Sequence, residues 1–164
     1  MDLSLALDIT AANQVLEFFQ DYEVRPAGLK DLDKISTIEN VTSDYPCTNQ
    51  QLQDYIDKTL VFVGGNDILG FAVIVTVENQ AELHNIAIVP QQQGNGLGSL
   101  FLKALVAALP MLVEQFYLEV RVSNFRAIRL YQRMGFSKIA ERKDYYRNGL
   151  GREDAVIMAK ACNL

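Results

Sequence analysis

Apolar positions in this chain switch between a spacing of two and a spacing near 3.6, and the switches lay out its elements. After Asp8, which is placed to cap a helix, Ile9, Ala12, Leu16 and Phe19 fall on one face. Residues 22–25 read as a first strand closed by Pro26 and Gly28, and Leu29, Leu32, Ile35 and Ile38 then repeat as a helix. Thr48-Asn49-Gln50-Gln51 fits a capping box and opens a second helix with Leu52, Tyr55 and Ile56 inward. Between those helices, residues 41–47 form a loop broken by Pro46, of the kind that borders a cleft. Residues 60–63 and 68–77 are apolar and β-branched, and Gly64-Gly65-Asn66-Asp67 joins them as a hairpin. A turn at Glu78-Asn79-Gln80 leads into a strand over 81–89. Leu97, Leu100, Phe101, Ala104, Leu105 and Ala108 predict a helix over 97–109, stopped by Pro110. A strand over 116–120 and a helix over 124–134, ended at Gly135, follow. Strands over 136–140 and 155–159, around a polar loop at 144–152, complete the chain.

This order predicts one mixed α/β (α+β) domain over residues 22–164, with helices on both faces of a mainly antiparallel sheet. Residues 1–21 form an N-terminal extension carrying the first short helix. A length of 164 residues suits a single well-cored domain, and 49% hydrophobic with 21% charged residues is an ordinary globular balance. The net charge of −5 argues against general nucleic-acid affinity, which needs clustered Lys and Arg, and favours a cationic partner such as a basic peptide. Cys47 and Cys162 lack Cys-x-x-Cys spacing, and His84 is the sole histidine, so neither a metal site, a disulfide scaffold nor a Ser-His-Asp arrangement is expected. Asp2 and Asp8 stand where a signal peptide would be basic, and no run reaches the ~20 apolar residues of a membrane span. The expected location is the cytoplasm, without a membrane partner.

Between the strand over 81–89 and the helix over 97–109 lies Gln93-Gly94-Asn95-Gly96-Leu97-Gly98. Glycines at the mouth of a helix allow close backbone approach, and the free N–H groups there favour an anion. On glycines alone, a phosphate cradle and a plain turn feeding a buried helix stand equal. No Gly-Lys-Ser/Thr follows, which excludes a Walker loop. The glycine spacing and the position after a meander exclude a dinucleotide fingerprint. With no lysine in the loop and no acidic pair beside it for magnesium, nucleotide hydrolysis is disfavoured. A pyrophosphate held by backbone amides remains.

Gln93-x-x-Gly96-x-Gly98 after a strand resembles the acetyl-coenzyme A loop of the GNAT N-acetyltransferases. The likeness continues in order through Leu83-x-Asn85-Ile86-Ala87-Ile88, Leu118-Glu119-Val120-Arg121-Val122-Ser123-Asn124, Ala127-Ile128-x-Leu130-Tyr131, Gly135-Phe136, Tyr145-Tyr146 and Glu153-Asp154-Ala155-x-x-Met158. Together these resemble the bacterial ribosomal-protein alanine N-acetyltransferases of the RimI type. The resemblance implies a central strand pair that splays apart. It implies that Ile86, Ala87 and Ile88 meet the pantetheine arm of acetyl-CoA, through the backbone of Ile86 and Ile88. Amides from Gly94, Asn95, Gly96, Leu97, Gly98 and Ser99 would hold the pyrophosphate, and Asn124 would contact the donor beyond the thioester. Glu119 takes the general-base position, Tyr131 the general-acid position, and Tyr145 and Tyr146 lie near the acceptor. The implied acceptor is a basic peptide or protein N-terminus, the N-terminal alanine of a ribosomal protein. Other N-termini, a small amine, or a coenzyme A-binding module without turnover remain as alternatives.

Each residue also has a plainer reading. Glu119 would pair with Arg121, two positions along the same strand face. Asn124 would cap the next helix, Tyr131 would be a core tyrosine, His84 would sit on a sheet face, and Tyr145 and Tyr146 would shield an edge. Three departures from the RimI-type pattern stand out. Asn95 replaces a basic loop residue, Ser99 is also uncharged, and Cys47 follows Pro46 where a tryptophan is frequent.

Overall fold

The computed structural model describes residues 5–19 and 21–163. Its elements run α1 (Ile9–Leu16), β1 (Tyr22–Pro26), α2 (Leu32–Thr42), α3 (Asn49–Asp54), β2 (Thr59–Gly64), β3 (Asp67–Val77), β4 (Gln80–Ile88), α4 (Leu97–Ala107), β5 (Gln115–Arg121), α5 (Phe125–Arg133), β6 (Ser137–Asn148) and β7 (Gly151–Ala161). The strands form one seven-stranded sheet in the order β1-β2-β3-β4-β5-β7-β6, antiparallel except for the parallel pair β4–β5.

Strand alternation sends one set of side chains to each face of the sheet. Leu60, Phe62, Ala72, Ile74, Leu118 and Val120 pack with α1, α4 and α5, while Val61, Val63, Phe71 and Val73 pack with α2 and α3. Phe62 stacks on Phe101 of α4 at 5.0 Å and on Tyr22 at 5.3 Å, so an aromatic column anchors α4 to the sheet. The first helix belongs to this core. Asp8 caps it by accepting from the Ala11 N–H, and the Asp8 N–H donates to the Ala108 carbonyl at the end of α4.

Two expectations from the sequence need correction. Phe19 lies beyond the end of α1 and is half-exposed, and Tyr55 lies beyond α3 and is also largely exposed, so neither points inward. The polar segment 144–152 is the distal part of the long β6–β7 hairpin. β6 is solvent-exposed along almost its whole length, so no apolar alternation marked it. Its backbone ladder to β7 and the turn at Gly149 and Leu150, where Gly149 has φ +53, hold it as a strand. The capping box at Thr48, the hairpin at Gly65 and Asn66, and the left-handed stop at Gly135 stand as expected.

The pairing of β4 carries the consequence for function. β4 and β5 pair only from Gln80–Gln115 to Leu83–Leu118, after which β5 continues with β7 alone and β4 with β3 alone. At the point of separation, Val73 opposes Asn85 and Ile74 opposes Leu83, so His84 is an extra residue in β4. Such a bulge bends the strand that carries it. Beyond it, β3 and β4 approach closely: a β-carbon on Gly70 would stand 2.4 Å from the Ala87 carbonyl oxygen. The central strand pair is therefore splayed.

At the start of α2, Asp31 is 5% exposed and accepts from both terminal nitrogens of Arg25 at 2.8 Å and from the Gly28 N–H at 2.9 Å. The Arg25 hydrogen bonds hold its carboxyl at about 2, against the opposing cost of burial. A depressed carboxyl stabilises the fold above its unfolded value near 4, and the stabilisation is lost as pH falls towards about 2. Urea unfolding of the wild type and Asp31→Asn should differ by on the order of 2 kcal/mol at pH 7, the gap closing between about pH 4 and 2.

Candidate active site

The splay opens a cleft of about 620 Å³ between β4 and β5. One wall is Leu83 to Ile88 of β4, the other Leu118 to Arg121 of β5, and α5 closes it with Asn124, Ala127, Leu130 and Tyr131. Over this stretch neither strand uses the other as a partner, so backbone groups of β4 are free to meet an extended ligand. One of them is already engaged: the Gln93 side-chain amide donates to the Ile88 carbonyl at 2.9 Å. Gln93 thereby pins the start of the glycine loop to the end of β4.

In that loop Gly94 and Gly96 have φ of +83 and +80, a region that only glycine enters without strain. Gly96 is also the N-cap of α4 and offers no side chain to its first N–H groups. The amides of Leu97, Gly98 and Ser99 precede the first helical bond, which runs from the Leu100 N–H to the Gly96 carbonyl. These donors, at the positive end of the helix dipole, border the cleft at Gly96, Gly98 and Ser99. Asn124 lines the same cleft while its side-chain oxygen accepts from the Ala127 N–H at 3.1 Å. It caps α5, which leaves its amide NH₂ as the group able to face a ligand.

A second cavity, of about 690 Å³, lies against β5 and the β6–β7 hairpin and includes Gln80, Glu82, Tyr117, Ile139, Arg142 and Tyr145. The two cavities share Leu83, His84, Leu118, Glu119 and Tyr146. Glu119 is the carboxylate at that junction. It does not pair with Arg121. Arg142 Nε approaches one of its oxygens at 3.3 Å, and the same carboxylate raises the pKa of the nearby Tyr145 phenol. Arg121 instead donates to Glu153 at 3.0 Å and to the Arg147 carbonyl at 2.6 Å. Its guanidinium lies between the rings of Tyr146, at 4.5 Å, and Tyr45, at 5.1 Å. The Tyr45 hydroxyl in turn accepts from the Gly149 N–H at 3.0 Å. Arg121 and Tyr45 therefore join the loop after α2 to the tip of the β6–β7 hairpin across the cleft.

Tyr131 is 7% exposed, with its ring edge-on to Phe136 at 5.8 Å. It is a core side chain and a cleft-lining one at once. Burial, with the nearby Tyr146 adding, pushes its phenol up to about 12. Burial and then the Glu119 charge push Tyr146 up to about 12 as well. Both hydroxyls thus stay protonated as donors.

The sequence did not single out Glu39, a buried carboxylate on α2 that also lines the cleft. It accepts from the Cys47 N–H at 3.0 Å and the Asn85 amide at 2.9 Å, tying the loop after α2 to β4 beside the bulge. Burial and then this carboxylate raise the Cys47 thiol. His84, the bulge residue, sits 3.1 Å from Glu82 and edge-on to Tyr55. Among the described residues no cluster of His, Cys, Asp or Glu could hold a metal ion, and no helix is long and apolar enough to cross a membrane.

A sequence model described as the acetyltransferase (GNAT) family matches residues 21–136. The [ribosomal protein bS18]-alanine N-acetyltransferase of Haemophilus influenzae is 43% identical over 113 residues, 68% of this chain and 75% of that protein. An N-alpha-acetyltransferase of Sulfurisphaera tokodaii is 29% identical over 158 residues, 85% of this chain and 93% of that one. The crystal structure of the ribosomal-protein-S18-alanine N-acetyltransferase from Escherichia coli superposes with a TM-score of 0.80 at 30% identity, covering 87% of this chain and 95% of the other. With a family model matched over most of its length and relatives of this kind, the chain belongs to the GNAT family of acetyltransferases, which use acetyl-CoA as acetyl donor.

Proposed function

We propose that this chain transfers the acetyl group of acetyl-CoA to a protein N-terminal α-amine, with the N-terminal alanine of a small-subunit ribosomal protein as acceptor. The observation that carries this reading is the meeting of two cavities at Glu119: one bordered by the glycine loop, the other by the tyrosines of the hairpin. The similarity to the H. influenzae enzyme, whose name states that acceptor, supports the choice.

In the donor cavity, the β4 backbone at Ile86, Ala87 and Ile88 would meet the pantetheine arm. The amides from Gly94 to Ser99 would hold the pyrophosphate, and Asn124 would contact the donor beyond the thioester. From the other cavity the acceptor amine, between Tyr145 and Tyr146, reaches the thioester carbonyl carbon. It must be neutral to attack. At pH 7.4 roughly a fifth of an α-amine is already neutral, against about a thousandth of a lysine side chain. A single carboxylate, Glu119, therefore suffices to take the amine proton for an N-terminus. The Arg142 guanidinium, 3.3 Å away, steadies that carboxylate. As the C–N bond forms and the C–S bond breaks, the electron pair goes to sulfur. A thiol near 8.5 is a tolerable leaving group, and a phenol at about 12 holds its proton more tightly than that thiol does. Tyr131 thus acts chiefly by donating a hydrogen bond to the departing sulfur, the thiolate taking its proton in full once water reaches it.

Glu119→Gln should lower kcat on an α-amine peptide on the order of a hundredfold at pH 7, with the deficit shrinking as pH rises past the amine pKa. Tyr131→Phe should lower kcat with a deficit that changes little over the same range. Wild-type turnover in both variants would remove these roles. Mass spectrometry should find acetylation of peptides beginning Ala-Arg and none on N-terminally blocked peptides with a free lysine; acetylated blocked peptides would overturn the α-amine assignment. Binding of acetyl-CoA without thiol release for any amine would instead mark a module without turnover. Tyr45→Ala, which removes both the stack on Arg121 and the bond to Gly149, should raise the peptide KM several-fold and leave the acetyl-CoA KM unchanged.

A further inference from the structure

The glycine loop presents amides to the phosphates but no positive charge: Asn95 and Ser99 are uncharged, and the first cation on α4, Lys103, comes a full turn after Ser99. Coenzyme A carries a pyrophosphate and a 3′-phosphate, and backbone amides alone leave much of that charge without a counterion. A cation reaches the loop from elsewhere in the fold. Arg126 stands in the first turn of α5, and its Nη2 lies 3.7 Å from where a β-carbon on Gly94 would be. The guanidinium therefore overhangs the loop, and Arg126 lines the donor cavity together with Gly94, Gly96 and Ser99. Among the described residues no carboxylate pairs with Arg126, nor with Arg129 or Arg133, which follow it on the same exposed side of α5 at positions +3 and +7. In a chain of net charge −5, an unpaired arginine overhanging an anion site is a segregation of charge that favours an anionic ligand.

We propose that Arg126 is a donor-binding residue: its planar fork takes a phosphate of coenzyme A and supplies, from α5, the charge that the glycine loop lacks. The geometry suits a two-point contact of guanidinium with phosphate, which an ammonium at the same place would not reproduce. The proposal rests on the reading of acetyl-CoA as donor and adds a residue that no loop motif contains. The phosphate it meets is either the pyrophosphate or the 3′-phosphate, since both lie at the polar end of the same ligand.

The test is calorimetric binding to the purified full chain, with no turnover required. Wild-type protein that fails to bind coenzyme A removes the donor reading itself. If the wild type binds, Arg126→Gln should lose on the order of tenfold in affinity and show a shallower dependence on salt. Arg126→Lys should recover only part of the loss, and Arg129→Gln, outside the cavity lining, should stay within about twofold. Acetyl-pantetheine, which has no phosphate, should bind wild type and Arg126→Gln equally. With 3′-dephospho-coenzyme A, a persisting loss assigns the contact to the pyrophosphate and a vanished one to the 3′-phosphate. Unchanged affinity of Arg126→Gln for coenzyme A, or an equal loss for acetyl-pantetheine, would overturn the proposal.

Discussion

Strands β4 and β5 exchange backbone hydrogen bonds only as far as Leu83 and Leu118, and both cavities follow from where that exchange stops. A sheet tends to complete its ladders, because an unpaired buried backbone group is costly. Here the extra residue at His84 turns β4 away and Gly70 lets β3 follow it, so β4 keeps its ladder with β3 while its other edge is left open to the cleft. β5 is held on its other side by β7 through Arg121. The gap is thus a property of the sheet rather than a hollow between loops, and the side chains along it sit on rigid strands. Glu119 is the first residue of β5 past the last β4 partner, which puts its carboxylate where the sheet opens.

Around the cleft, side-chain bonds do for the loop after α2 and the hairpin what backbone pairing does for the strands. Arg121 spans Tyr45, Tyr146 and Glu153, and Glu39 ties Cys47 to Asn85. The two networks hold the same loop after α2 at Tyr45 and at Cys47. A buried carboxylate such as Glu39 would be costly alone; its donors from Cys47 and Asn85 satisfy it without a cation. The base of the β6–β7 hairpin is held by the β5–β7 ladder and by Ala155, Val156 and Met158 in the core, and its exposed outer part is tied back by Arg121 through the Arg147 carbonyl. Cys47 is held in this loop by its N–H bond to Glu39.

Tyr131 shows how one residue takes two readings at once. Its ring belongs to the core, packed against Phe136, and that burial is what keeps its hydroxyl protonated at the cavity wall. In the proposed reaction a donor of that kind would stabilise a developing thiolate electrostatically rather than by surrendering its proton. Asn124 behaves similarly, since capping α5 fixes the amide that would meet the ligand.

By itself the sequence determined the features that depend on neighbours along the chain. Alternation in the strands, the Asp8 and Thr48 caps, the left-handed glycines of the loop and the helix after them are all short-range, and the ordered motifs from Leu83 to Met158 were enough to indicate the family. The outer half of the β6–β7 hairpin was not legible, because both faces of β6 meet water and no period appears. Nor was the partner of Glu119: spacing along β5 pointed to Arg121, whereas the register with β7 and β6 brings Arg142 to it and leaves Arg121 to the tyrosines. The position of Arg126 over Gly94 is of the same kind, joining the first turn of α5 to the loop before α4 through a packing that no local pattern encodes. Local periods fix what an element is, but which side chains meet across the cleft is set by register and bulges, and only the folded sheet decides those.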